Sequence, residues 1–245
     1  MNHGQSTDPP TTNYWTDPAV EDAYRVLLRS IGGSALEDVA LTSHWPLVGN
    51  ASERLLVVGQ AVFGWVPNWR PVDVAQEDGV SRVLSESQAI FYDLPDPMEW
   101  IAGSAARSSP FWRTVRAIVD RIYVGSPEPW YSHITWANIY PVAPNDIKGN
   151  PDGPLRWRQT VPAANLLDLI AKSVYPDAVL VLGGVYWWDV ADLLPLEKSV
   201  AVERPLLARG TRGDVPWIAG MHPGGAQRRG WSATAYADRI VESLA

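Results

Sequence analysis

Hydrophobic and polar positions along this chain follow two alternating periods. Ala19–Ser30 places Val20, Ala23, Tyr24, Val26 and Leu27 at helical spacing and stops at Gly32-Gly33. Arg54–Gly59 is a short unbroken apolar run, Leu55-Leu56-Val57-Val58, closed by glycine, the pattern of a strand covered on both faces. The helical period returns over Pro110–Tyr123, with Val115, Ile118, Val119 and Ile122 on one side, and again over Gln159–Val174. Further apolar runs predict strands at His133–Ile139, Ala178–Leu182 and Val215–Ala219, and a final helix is predicted over Ser232–Leu244. Strands alternating with helices predict an α/β domain of three layers, α/β/α, around a central parallel sheet of about four strands. Neither an internal repeat nor a domain-splitting linker interrupts the pattern. Residues 15–245 therefore read as a single domain, preceded by a loose polar tail over residues 1–14. Leu94–Pro97 and the polar stretch Pro144–Pro154 read as excursions within it.

Composition narrows the function classes. With 245 residues and 46% apolar content the chain can bury one large α/β core. No apolar run approaches the ~18 residues of a membrane span, so no membrane partner is expected. The N-terminal stretch lacks a basic-then-apolar signal pattern, which makes a cytoplasmic monomer the default expectation. Zero cysteines exclude a disulfide framework, a thiolate zinc site and an iron–sulfur cluster, and no metal or cofactor is expected. The net charge of −7 argues against a protein that coats nucleic acid. It leaves room for a local basic face, because Arg204, Arg209, Arg212, Arg228 and Arg229 are opposed between residues 200 and 230 only by Glu203 and Asp214. Of the thirteen tryptophans most are expected in the core, while Trp65, Trp69, Trp136, Trp187 and Trp188 fall near strand ends, where aromatic faces line pockets.

In parallel sheets the ligand site lies outside the C-terminal ends of the strands. There this chain carries Gly59-Gln60-Ala61-Val62-Phe63-Gly64-Trp65, then Trp136-Ala137-Asn138-Ile139-Tyr140, then Gly183-Gly184 after Pro176–Leu182, and lastly Met221-His222-Pro223-Gly224-Gly225-Ala226-Gln227-Arg228-Arg229-Gly230-Trp231. A histidine at the lip of a strand, on a glycine-loosened loop carrying cations, can both touch a small ligand and meet a phosphate backbone. In this order and spacing the four segments resemble the uracil-DNA glycosylase superfamily over roughly residues 54–244. The layout is most similar to members whose first motif is Gly-Glu-Ala-Pro-Gly and whose last is His-Pro-Ser.

The resemblance implies a DNA partner and a glycosylase that flips a base out of DNA and hydrolyses its N-glycosidic bond. It implies that His222 donates to the departing base, that Asn138 reads the base edge, and that Gln60 orients the attacking water. Phe63 or Trp65 would stack on the flipped ring, with Gly59 and Ala61 in the base-binding wall. Gln227, Arg228 and Arg229, with Gly224 and Gly225, would face the DNA. The departures bear on the substrate. Ala61 stands where the most active uracil enzymes carry a water-activating Asp, and Gln60 where others carry Glu. Val62 replaces a proline, and Gly224 replaces the serine after His-Pro. Smaller residues in these loops widen the expected pocket, so a larger base than uracil is expected; the superfamily includes phage-defence glycosylases acting on glucosylated hydroxymethylcytosine. An acid from the segment after the first motif, Asp73, Glu77, Asp78 or Asp93, is the alternative water-activating group. Two other readings fit the same residues: a catalytically silent DNA-binding member of the fold, or an unrelated α/β enzyme acting on a phosphorylated small molecule. The latter would have neither a Gly-x-x-x-x-Gly-Lys-Ser/Thr nor a Gly-x-Gly-x-x-Gly loop at its first strand.

Overall fold

The computed structural model describes residues 15–32, 36, 39–61, 67–89, 94–103, 107–145, 150–151, 153–194 and 197–244, with no side-chain description over 197–201. Ten strands occur among these residues: β1 (Leu41–Ser43), β2 (Leu47–Val48), β3 (Leu55–Ala61), β4 (Asn68–Trp69), β5 (Ile134–Tyr140), β6 (Val142–Pro144), β7 (Ala178–Val181), β8 (Glu197–Ala201), β9 (Leu206–Arg212) and β10 (Val215–Gly220). Seven form the central sheet in the order β2-β5-β3-β7-β10-β9-β8, and β4-β1-β6 form a small separate sheet. The four apolar runs of the sequence are β3, β5, β7 and β10, and they pair in parallel with one another.

The expectation of a purely parallel sheet of about four strands is corrected: the sheet is mixed and larger, with β2 antiparallel to β5 on one edge and, on the other, β9 antiparallel to β10 and β8 antiparallel to β9. The reason is local. β2 has two residues, too few to display a period. β9 alternates buried and less buried positions (Leu206, Ala208 and Gly210 against Leu207, Arg209 and Thr211), so its arginines read as surface rather than strand. It joins β10 through a two-residue turn, Gly213-Asp214, with Gly213 at φ +54°, a conformation that glycine adopts without strain and that matches strand twist.

Side chains of the parallel strands alternate between two cores. Leu56, Val58, Ala137, Ile139, Val179, Val181, Trp217 and Ala219 enter one, under the helices Pro18–Ile31, Gly79–Gln88 and Gly153–Val174. Leu55, Val57, Ile134, Trp136, Leu180 and Ile218 enter the other, under Pro110–Ile122 and Ala233–Leu244. This period-two partition is what a sheet covered on both faces requires. The Gly153–Val174 helix starts six residues before the predicted Gln159, because the exposed Trp157 and the internal Pro162 obscure its period. Trp69 and Trp187 are core residues rather than pocket-lining ones, Trp136 is also buried, and Trp188 is exposed.

Chain order reverses at β3. The crossover from β3 leads to β5 on one side, while the next, to β7, lies on the other. The carboxyl edge at such a reversal opens a crevice between diverging connections. Among the described residues no helix is long and apolar enough to cross a membrane.

Candidate functional site

The carboxyl edge brings Gly59, Asn138, Gly183, Gly184 and His222 into one neighbourhood, with Gln60 alternating onto the opposite face of β3 from Asn138. Gly59 on β3 lies in register with Asn138 on β5. A Cβ at Gly59 would stand 2.5 Å from Asn138 Oδ1 and 3.4 Å from Trp136 Nε1, so only glycine leaves room for the Asn138 amide to lie over the strand. Asn138 is 4% exposed, and its Nδ2 has no hydrogen-bond partner. Buried amide nitrogens are rarely left in that state, because the missing bond costs about 1–3 kcal/mol. Gln60, next on β3, donates Nε2 to Asn150 Oδ1 at 2.7 Å. A Cβ at Gly183 would meet the Ile139 side chain, and one at Gly184, whose φ is +62°, would stand 3.2 Å from His222 N, so both turns lie close against their neighbours. The ends of β3, β5, β7 and β10 are thus in contact through glycines.

His222 is held from several directions. Met221 N donates to Pro205 O at 2.9 Å, and the Tyr236 hydroxyl donates to Met221 O at 2.6 Å. Gly220 leaves the space that the Tyr236 hydroxyl fills. The segment after His222 is corrected from a loosened loop to a short helical turn, Pro223–Gln227. Proline supplies its first residue, and His222 caps it, with Nδ1 accepting from Gly224 N at 3.2 Å. An accepting Nδ1 puts the proton of the neutral ring on Nε2. Burial, assisted by the nearby Arg228 charge, pushes the His222 pKa below its ordinary value and favours that neutral form. The ring lies nearly parallel to Phe111, at 24° and 6.0 Å between centroids. Phe111 meets Trp112 edge-on at 4.8 Å, and Trp112 meets Trp136 at 5.1 Å, so an aromatic chain runs from His222 to the strand that carries Asn138. Phe111, Trp112 and Tyr236 were not singled out from sequence; their helices were, but helical period says nothing of which residue meets a distant loop.

Other predicted positions fare differently. Phe63, Trp65, Val62, Asp93 and the tail over residues 1–14 lie outside the described residues. Asp73 Oδ2 accepts from Arg70 N at 2.7 Å and its Oδ1 pairs with Arg82 at 3.6 Å, which ties it to its own turn. Asp78 directly precedes the Gly79–Gln88 helix on the face opposite Asn138 and Trp136, and Glu77 is exposed. Gln227, Arg228 and Arg229 are exposed at the end of the His222 turn; Gln227 Oε1 accepts from Arg113 at 3.3 Å. The expected arginine face divides, because Arg212 lies beside Val215, at the opposite end of β10 from His222, and pairs with Asp168. The other described histidines are structural. His133 bonds Glu53 O and Ser126 Oγ, and His44 is buried against Trp136.

Fold and site together define an α/β protein with a candidate ligand site of neutral histidine, buried amide and aromatic wall at the carboxyl edge of its parallel strands. The chain matches no protein-family model and no curated protein.

Proposed function

We propose that this protein is a DNA glycosylase of the uracil-DNA glycosylase type, acting on a modified base larger than uracil. The observation that carries the reading is the Asn138 amide, buried over Gly59 with Nδ2 unpartnered. A flipped base edge supplies the missing acceptor, and an amide can read donors and acceptors together. In the proposed reaction the C1′–N bond breaks with its electron pair leaving on the base, and His222 Nε2–H donates to the oxygen on which that charge develops. A donor already in place costs no reorganisation at that moment. The sugar becomes oxocarbenium-like, water adds at C1′, and the proton the water loses is taken up by the departed anionic base, leaving an abasic sugar and the neutral base. Gln60, with Nε2 held by Asn150, offers Oε1 to orient that water; as a neutral amide it positions the water and does not deprotonate it.

Gly224 is small where the enzymes that this chain resembles carry serine, and Ala61 where the most active uracil enzymes carry Asp, which supports a bulky base, with glucosylated hydroxymethylcytosine a serious candidate. The test is a panel of single- and double-stranded DNAs carrying uracil, hypoxanthine, hydroxymethylcytosine or glucosylated hydroxymethylcytosine, followed by alkaline cleavage at abasic sites. Excision of a modified cytosine ahead of uracil is expected. DNA binding with no abasic site on any substrate identifies the silent binder instead, and no binding at all removes DNA as the partner.

A further inference from the structure

We propose that Phe111 is a positioning residue for His222, fixing the imidazole plane so that Nε2–H is left to donate. The use made of that donor rests on the glycosylase reading; the positioning itself rests on geometry. Phe111 is the second residue of the Pro110–Ile122 helix, whose start is set by the proline, so its Cα is fixed by the helix. It is 9% exposed and offers one face to the imidazole in an offset stack. Trp112, at 89° to Phe111, and Trp136 behind it back the Phe111 ring, which restricts its rotation. His222 is further held by the Gly224 N–H on Nδ1 and by Gly184 against its backbone. The Nδ1 bond fixes one edge of the imidazole, and a flat neighbour fixes the plane through that edge. A leucine at 111 fills volume without defining a plane. Among the described residues the charges near this contact are Arg228 on the His222 turn and Arg113 on the facing helix, which is engaged by Gln227; the Gly183-Gly184 turn carries none. The phenyl ring also keeps water from one face of the imidazole, in keeping with the downward shift of its pKa.

The test is imidazole nitrogen and proton NMR on the full chain, which needs no substrate. In the unmodified protein, ring-to-ring NOEs between Phe111 and His222, a single Nε2–H tautomer and a titration midpoint below 6.5 are expected. Phe111→Leu should mix the tautomers and raise the midpoint toward that of free histidine. Phe111→Tyr, which keeps the ring, should behave as the parent. Absence of the NOEs, or a Phe111→Leu protein with unchanged tautomer and midpoint, overturns the proposal. If Phe111→Leu does not fold, the NOEs and tautomer of the parent and the Tyr variant decide the matter. In the excision assay, Phe111→Leu should lower the chemical rate about tenfold with DNA affinity unchanged, and move the acid limb of the pH profile upward. A parent that shows the NMR signatures but excises no base refutes the glycosylase reading and leaves the positioning role standing.

Discussion

At the scale of single residues, the site is built by what glycine leaves out and by what one histidine is given. Gly59 makes room for Asn138, and Gly184 for the backbone of His222. Gly59→Ala therefore places a methyl 2.5 Å from Asn138 Oδ1 and must turn the amide away. Excision should fall at least tenfold while the circular dichroism spectrum stays that of the parent; undiminished excision in Gly59→Ala would remove Asn138 from base reading. On the proposed glycosylase reading, His222→Ala removes a donor to developing charge, and such losses cost about 10²-fold or more in the chemical step. DNA affinity should barely change. Single-turnover rates within threefold of the parent would take His222 out of the mechanism. Which residues line the carboxyl edge was legible in the sequence, because Gly59, Asn138, Gly183 and His222 each end or adjoin an apolar run. Phe111 and Tyr236 were not, because each meets His222 or its neighbour across more than a hundred or about fifteen residues of chain, a relation that no local period records.

At the scale of elements, the long strands and helices were legible because each buries a full stripe or face, whereas the elements passed over are short or half exposed. The Gly79–Gln88 helix does carry a stripe, Val80, Val83, Leu84 and Ser87, but it has only 10 residues, and the exposed Ser81, Arg82, Ser85 and Glu86 break up its apolar positions in the sequence. The β8–β9 pair hides its alternation behind Arg209, Gly210 and Arg212. The Pro223–Gln227 turn carries the prediction that belongs at this scale. It ends in Arg228 and Arg229, both exposed and without an acidic partner among the described residues, directly beyond the capped His222. If they meet phosphates, replacing both with Ala should weaken duplex binding and reduce the slope of log affinity against log salt by about one unit per lost contact. Thermal stability should be unchanged, since neither side chain is packed. An unaltered slope would move the DNA-facing surface elsewhere on the molecule.

At the scale of the whole molecule, the same burial that lowers the pKa of a histidine also ties stability to pH. His44 is 1% exposed and packed on Trp136, and its own N–H donates to Pro141 O, continuing the β1–β6 pairing. Burial holds its pKa down at about 3, against 6.5 for the free side chain. The sign follows from proton uptake: below pH 6.5 the unfolded chain binds a proton at His44 that the folded chain refuses, so stability falls as pH falls and levels off only near the folded value. Between pH 7 and pH 5 this one group removes about 2 kcal/mol, at about 1.4 kcal/mol per unit. His222, whose pKa is also lowered by burial, acts in the same direction. Urea unfolding at both pH values should show the loss, and His44→Gln, which cannot take up the proton, should lose about 2 kcal/mol less between them whatever its absolute stability. A pH dependence identical in parent and variant would mean that His44 is not held neutral in the folded protein, and that the contact of its ring with Trp136 does not exclude water as the packing around it indicates.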